Sequence, residues 1–545
     1  MTRLSFLRSP PFPGIAPTIA MISTPLMAAE ARPDISDALL DQLAAAAVGG
    51  DFWGQRPEGL HLIARQGVPV APERMAGLQS QQIGILPGDA AFAAGMSGRL
   101  LLRSCDPWAL VRNARSVHAV ADDDLAIVAG LLGVPVFGPD LLPIHADRLR
   151  QAARDAVAGA SYRDCFTGQA VGPADVIAQL ADWRAHIDGN RGIVAASGMA
   201  FWKREAMRHF LWDGTTSPPF LSGTRGLARA RRDQGAVAIW PSRVPASLPA
   251  EAQAAGVPLA RVEDGFLRSR GLGAALHPPG SVVVDRTGIY YDATAASDLE
   301  TLLATQHFSA ALIDRARHLR ARVCATGVTK YGPGGGQMID LPVGRRTILA
   351  VGQVDDDMSV RLGGAGIGGN QDFLARVRQA EPDAWIVYRP HPDVQAGHRK
   401  GHLSDAVVMR HADCIDTGSP LMELVQAVDG VHVLSSLTGF EALMRGRPVS
   451  VHGMPFYAGW GLTRDLAEPS VRRGRRLDID QLVAAALILY PRYLDPVTRL
   501  PCRPELMVDR IADGFATPMT WMIRMRVLQG KLRRFMTLFA EFFHG

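Results

Sequence analysis

The chain is poor in cysteine, with five in 545 residues. Cys105, Cys165, Cys324, Cys414 and Cys502 are odd in number, far apart and free of CxxC or Cys/His ligand spacing. A disulfide framework and a zinc site are therefore not expected, and the thiols read as reduced core residues of a cytosolic protein. No run reaches the roughly 20 uninterrupted apolar residues of a membrane-spanning helix. An excess of one charge is missing too. The 58 Lys and Arg against 53 Asp and Glu leave a formal charge of +5, with a pI near 9.1, so bulk electrostatics do not indicate nucleic acid as a partner.

What is present is globular. Hydrophobic residues make up 47%, and the 55 Gly and 37 Pro supply many turns without a long disordered tract. Single cores stop growing at about 250–300 residues, so two to four compact units are expected. At the N-terminus, Arg3, Arg8 and an apolar stretch ending in MAAEA imitate a secretory signal. Pro10, Pro11, Pro13 and Pro17 would break its helix, so residues 1–35 are expected to be a disordered leader or the product of a misplaced start.

Short apolar runs bounded by Gly or Pro recur: IGIL (83–86), GVPVFG (133–138), AVAIW (236–240), SVVVD (281–285), TILAVG (347–352) and AWIVYR (384–389). Their length and Val/Ile content predict buried parallel strands, with alanine-rich helices between them, which is α/β patterning. An internal comparison adds the domain plan. VHAVADDDLAIVAGLLGVPV (117–136) aligns with VHVLSSLTGFEALMRGRPV (431–449), and YRDCFTG (162–168) aligns with YLDPVTR (493–499), in the same order. Where the later copy has Ser435, Ser436 and Glu441, the earlier has Ala121, Asp122 and Val128, and it lacks the insert GMPFYAGWGLT (453–463). Residues 36–190 are thus expected to be a degenerate half-module. Residues 191–515 should be a complete module of two Rossmann-like domains, 191–344 and 345–515.

Several segments carry chemistry. RVEDGFLRSRGLG (261–273) places Glu263 and Asp264 at a strand exit, where open α/β sheets bind ligands, although a solvated turn would look the same. In VGQVDDDMSVRLGGAGIGGN (351–370), Asp355, Asp356 and Asp357 read more readily as a solvated loop than as a metal site. The glycines there match a dinucleotide fingerprint poorly. YRPHPDV (388–394) sets Arg389 and His391 on a proline-stiffened exit suited to a phosphate. Ser435, Ser436 and Thr438 precede a helix whose N-terminus favours an anion. The Thr438-to-Glu441 spacing also fits a plain capping box. Phe456, Tyr457 and Trp460 can be core or a lid.

Taken in order, EDGFLRS, YYDAT (290–294), VGQVDDD, RPHPDV, SSLTGFEAL and PFYAGWGLT resemble the capsule polysaccharide biosynthesis family of KpsC/KpsS (LipA/LipB) type, over roughly Trp202 to Phe515. The resemblance implies a GT-B-like, retaining β-Kdo glycosyltransferase. It would use CMP-Kdo as donor and a phosphatidylglycerol-type, lipid-linked glycan as acceptor, with no cofactor and no metal. Asp264 is then the candidate nucleophile and Glu263 a supporting residue or base. Gln353, Arg389, His391, Ser435, Ser436, Thr438 and Glu441 would bind the donor, and Lys330 is a weaker anion-site candidate. Two alternatives remain open: a noncatalytic factor in capsule assembly or export, acting with other proteins of that system, and a transferase for another nucleotide sugar. The tail 516–545 alternates apolar and basic residues at helical spacing. That pattern suits either a peripheral helix on the inner face of the cytoplasmic membrane or one that packs back on the module.

Overall fold

In this computed structural model the described residues are 5–26, 32–87, 99–100, 104–267, 278–328, 336–395, 399–468 and 470–514. Lys330, the end of the glycine-rich turn (268–277) and the tail 516–545 lie outside them. The chain divides into two compact units. The first is Met1–Gly192 with Leu211–Pro218 and Thr498–Pro501, and the second is Ile193–Phe210 with Pro219–Val497 and Cys502–Gly545.

The first unit contains β1 (Ser23–Pro25), β2 (Leu62–Arg65), β3 (Ile83–Leu86), β4 (Arg99–Leu100), β5 (Ser116–His118), β6 (Val136–Phe137) and β7 (Ala160–Tyr162). Five of these form a parallel sheet of order β4-β3-β2-β5-β6. The helix Asp124–Leu132 connects β5 to β6. Leu125 to Ala129 are buried on every side, as expected of a uniformly apolar helix inside a core.

The expectation of a disordered leader over 1–35 is corrected for its described part. Phe6, Leu7, Phe12 and Ile22 are buried, and β1 pairs antiparallel with β7. Arg8 reaches Asp51 at 2.7 Å and Asp124 at 2.9 Å. The four prolines do prevent a long helix, but an irregular chain can still bury aromatic rings and find a strand partner far along the sequence.

The second unit holds two sheets. Its strands include β8 (Ile193–Ser197), β9 (Ala236–Ile239), β10 (Leu259–Asp264), β11 (Ser281–Asp285), β12 (Thr347–Val351), β13 (Trp385–Arg389), β14 (Cys414–Ile415), β15 (Gly430–Val433), β16 (Val449–Val451), β17 (Arg464–Asp465) and β18 (Pro491–Leu494). The second sheet is parallel throughout, in the order β14-β13-β12-β15-β16-β17. Counted from β12 this is 3-2-1-4-5-6, the doubly wound nucleotide-binding order, whose ligand crevice opens between strands 1 and 4. Counted from β2, the first unit's sheet runs 3-2-1-4-5.

The N-terminal sheet of this unit departs from a pure Rossmann plan. β8, β9 and β10 are parallel, but β11 runs antiparallel to β10, and β18 antiparallel to β11. All five residues of β11 are buried, so its apolar run reported burial correctly and direction wrongly. Because β18 joins this sheet, the expected boundary of 345–515 does not follow the sheets: the chain crosses back near Pro491. The two copies noted in the sequence also share local bonds. Tyr162 Oη donates to Val157 O at 2.6 Å, and Tyr493 Oη to Leu487 O at 2.8 Å. Asp164 Oδ1 accepts from the Phe166 amide, and Asp495 Oδ1 from that of Val497.

Candidate active site

The two sheets of the second unit direct their strand ends at a cleft of about 750 Å³, lined from Ser242 to Tyr291 on one side and from Val351 to Phe456 on the other. That volume suits a nucleotide-sized ligand. On the first wall, β10 ends at Glu263 and Asp264, both lining the cleft. Glu263 Oε1 accepts the Asp264 amide at 3.0 Å, which fixes the two acids relative to each other. Lys203 Nζ lies 2.9 Å from Asp264 Oδ1 and 3.4 Å from the centroid of the Trp240 ring. Tyr290 and Tyr291 close this wall. Burial, reinforced by the Glu263 carboxylate, holds both phenols above their ordinary range.

The opposite wall is the switch point. After β12 the chain passes Gly352, where a Cβ would lie 2.5 Å from Tyr388 Oη, so only glycine fits. Gln353 follows. Its backbone is clamped by Asn370, which accepts from Gln353 N at 2.8 Å and donates to Gln353 O at 2.7 Å. Its side chain crosses to β15: Oε1 accepts the Ser435 amide at 2.7 Å and Nε2 donates to Ser435 Oγ at 3.1 Å.

Ser436 caps the helix Leu437–Met444, its hydroxyl accepting the Thr438 amide at 3.3 Å, and the N-terminus faces the cleft. The capping box between Thr438 and Glu441 is not formed, because the cap lies two residues earlier. Glu441 instead sits in the second turn, buried and lining the cleft. The Tyr457 hydroxyl donates to Ser436 O, and a Cβ at Gly439 would lie 2.3 Å from the Tyr457 hydroxyl oxygen, so the insert packs against the cap. Tyr457 and Trp460 are fully buried, each ring contributing roughly 2–3 kcal/mol by burial. Phe456 alone of the three lines the cleft, its ring 4.6 Å from that of Phe266.

From β13, Arg389 lines the cleft while pairing with Asp416, which is fully buried and accepts Ser419 N at 3.0 Å and Ser419 Oγ at 2.9 Å. Burial raises the Asp416 carboxyl, but these bonds and the guanidinium outweigh it and hold the group below its ordinary value. His391 Nδ1 accepts the Asp393 amide at 3.1 Å, leaving the proton of the neutral ring on Nε2. Asp355, Asp356 and Asp357 diverge. Burial pushes the Asp355 carboxyl up, Asp356 pairs with Arg399 at 3.0 Å, and Asp357 caps the helix Met358–Gly363. Among the described residues no cluster of three His, Cys, Asp or Glu is arranged to hold a metal.

The cleft thus brings together Glu263, Asp264, Gln353, Arg389, His391, Ser435, Ser436, Thr438 and Glu441. Sequence reasoning missed Lys203, 61 residues before its partner. Its one visible signal is rarity, since Lys203 is one of four lysines in the chain, with Lys330, Lys400 and Lys531.

This fold and site define an α/β protein with a nucleotide-type crevice facing a carboxylate pair. The model of the family described as "Capsule polysaccharide biosynthesis protein" matches residues 235–332 and 337–493, and the chain belongs to that family. It is 39% identical over 416 residues to the capsule polysaccharide modification protein LipA of Neisseria meningitidis serogroup A, covering 76% of this chain and 57% of that protein. It is 46% identical over 243 residues to the lipopolysaccharide-processing protein LpsZ of Rhizobium meliloti, covering 44% of this chain and 54% of that one. The chain therefore spans just over half the length of these relatives. Among solved structures, KpsC of Thermosulfurimonas dismutans, described as a beta Kdo 2,4 transferase, is 34% identical with a TM-score of 0.51, covering 58% of this chain and 98% of that one.

Proposed function

We propose that the second unit is a retaining β-Kdo transferase that moves Kdo from CMP-Kdo to a lipid-linked, phosphatidylglycerol-type acceptor in capsule synthesis. The observation that carries this reading is the Glu263–Asp264 pair at the end of β10, facing the switch-point crevice across one cleft. Likeness to a structure described as a β-Kdo transferase supports the choice of sugar.

Two displacements give retention. An Asp264 oxygen attacks the anomeric carbon and forms a C–O bond as the bond to the CMP phosphate breaks, its electron pair leaving with CMP. An acceptor hydroxyl then attacks the same carbon, its proton passes to Glu263, and the Asp264 carboxylate is released. CMP carries one phosphate. The amides at the start of Leu437–Met444, Ser436 and the Arg389 and His391 donors can receive it in a site held in advance by Asp416 and Gln353.

The first unit is read as a degenerate Rossmann-like half-module without a working site. The shared strand order and shared tyrosine and aspartate bonds support duplication, and the anion seat at its β5 helix is already filled. Asp123 caps that helix and is held by Arg65 through two bonds of 2.9 and 2.7 Å. A carboxylate there repels phosphate. The tail 516–545 is assigned to the inner face of the cytoplasmic membrane, where the lipid-linked acceptor would be met.

The test is incubation of purified protein with CMP-Kdo and a lipid-linked acceptor mimic, followed by mapping of the product linkage. Heat protection by CMP supports this donor class. Protection by UDP or GDP alone would redirect it to another nucleotide sugar, and no protection by any nucleotide would favour a noncatalytic role in assembly or export.

A further inference from the structure

A cation beside a carboxylate nucleophile needs a reason, because pairing with Lys203 lowers the electron density that Asp264 can offer. The proposed donor supplies one. In a 2-keto sugar acid the reacting carbon itself bears a carboxylate, so an anionic nucleophile approaches against like charge. At contact distance that repulsion is stronger beside the protein wall of the cleft than in bulk water.

Lys203 is placed to offset it. The short helix Phe201–Lys203 follows the carboxyl end of β8 and continues into the helix Arg204–Phe210, so the lysine stem is anchored in secondary structure. The side chain is 8% exposed, its Nζ lies 2.9 Å from Asp264 Oδ1, and the Trp240 ring backs it at 3.4 Å. The Lys203 amine is thus held between a π-face and a carboxylate, with a cation–π contact on one side and a charge-assisted hydrogen bond on the other. Oδ1 is engaged by this bond, so the pairing also orients the carboxylate.

We propose that Lys203 is a positioning and charge-compensating residue that makes Asp264 a competent nucleophile toward donors whose anomeric carbon bears a carboxylate. This inference rests on the transferase reading given above. Within that reading it adds a role for Lys203, which the cleft-lining residues alone do not reveal.

The test compares the full chain with Lys203→Met, Lys203→Arg and Asp264→Asn, using CMP-Kdo and a lipid-linked acceptor mimic. Folding is checked by thermal melting. The expected result for Lys203→Met is a fall in kcat of about 100-fold or more, of the size seen on removing one preorganised electrostatic group. The donor KM should change less than about threefold, and the acid limb of the pH–rate profile should move to higher pH. Lys203→Arg, which keeps the charge, should recover at least about a tenth of the activity and return the acid limb toward the wild-type position. A Lys203→Met enzyme within about threefold of wild type, or one with an unmoved acid limb that Arg does not rescue, overturns the inference. Should Lys203→Met fail to fold, Lys203→Gln, which keeps the stem and a donor without the charge, makes the same comparison. Full activity in Asp264→Asn would instead bring down the transferase mechanism itself, so the two failures are told apart.

Discussion

Gln353 and Ser435 are joined in both directions across the crevice between β12 and β15, the amide oxygen accepting from Ser435 N at 2.7 Å and the amide nitrogen donating to Ser435 Oγ at 3.1 Å. The pair ties together the two strand ends where a doubly wound sheet opens to ligand, so one side chain bridges the proposed donor seat.

Gln353→Ala should therefore loosen the seat more than the fold. Two bonds worth about 1 kcal/mol each are lost, partly replaced by water in an open cleft. Donor KM is expected to rise about tenfold with a small fall in melting temperature, measured by initial rates and calorimetry. An unchanged KM would show that this bridge does not shape the donor site.

The two helix N-termini should respond differently to substitution. His391→Ala and Glu441→Ala, which alter the cleft of the second unit, are expected to lower turnover by about 100-fold while the protein stays folded. Asp123→Ala in the first unit removes a helix cap and an Arg65 ion pair. It should lower stability by about 1–2 kcal/mol and leave kcat within about twofold. Equal catalytic losses from both sets would mean that the first unit is also a working site.

A buried histidine pair makes stability depend on pH. His432 Nδ1 and His452 Nε2 are 3.0 Å apart, and His432 Nε2 faces Glu381 at 3.4 Å. With His432 donating to Glu381, its Nδ1 accepts from His452, an arrangement that holds only while the pair is not doubly protonated. Burial pushes His432 down to about 4 against the pull of Glu381. Burial and the His432 neighbour push His452 down to about 3. Both folded values lie below the unfolded value of 6.5, so the unfolded chain binds protons first as the solution is acidified. Stability is full above about pH 6.5 and falls as the pH drops toward 4, by on the order of 3 kcal/mol for His432 alone. Melting curves from pH 7.5 to 4.5 should show this, and His452→Gln should flatten the slope. A slope identical to wild type would place the acid sensitivity elsewhere.

Much of this was legible in the sequence because parallel strands buried on both faces have to be continuous apolar runs. TILAV and AWIVYR became β12 and β13 for that reason, and the residues after them fell in the cleft. SVVVD was equally apolar, yet its antiparallel direction depends on which strand it pairs with, and composition does not record that. The N-terminal segment was misread because proline argues only against a helix. The burial of Phe6 and Phe12 depends on a core assembled from distant residues. Lys203 was invisible for a similar reason: a lone lysine acquires meaning only when β8 and β10 bring it to Asp264. The Thr438–Glu441 spacing mimicked a cap, whereas the backbone turned at Ser436.

The apolar and basic alternation of 516–545 yields a prediction from sequence alone. Full-length protein should bind anionic vesicles in a salt-sensitive manner, and a variant lacking 517–545 that still melts cooperatively should not. Equal binding by both in a co-sedimentation assay would remove the tail as the anchor.

The proposed mechanism turns on attack of Asp264 on the sugar. Wild-type protein incubated with CMP-Kdo and no acceptor, quenched in acid and digested, should yield a peptide containing Asp264 that carries one Kdo residue. That species should disappear when acceptor is added and should be absent in Asp264→Asn, which is expected to be folded and inactive. Transfer by Asp264→Asn at near-wild-type rate, or a wild-type product of inverted configuration with no adduct, would contradict the account.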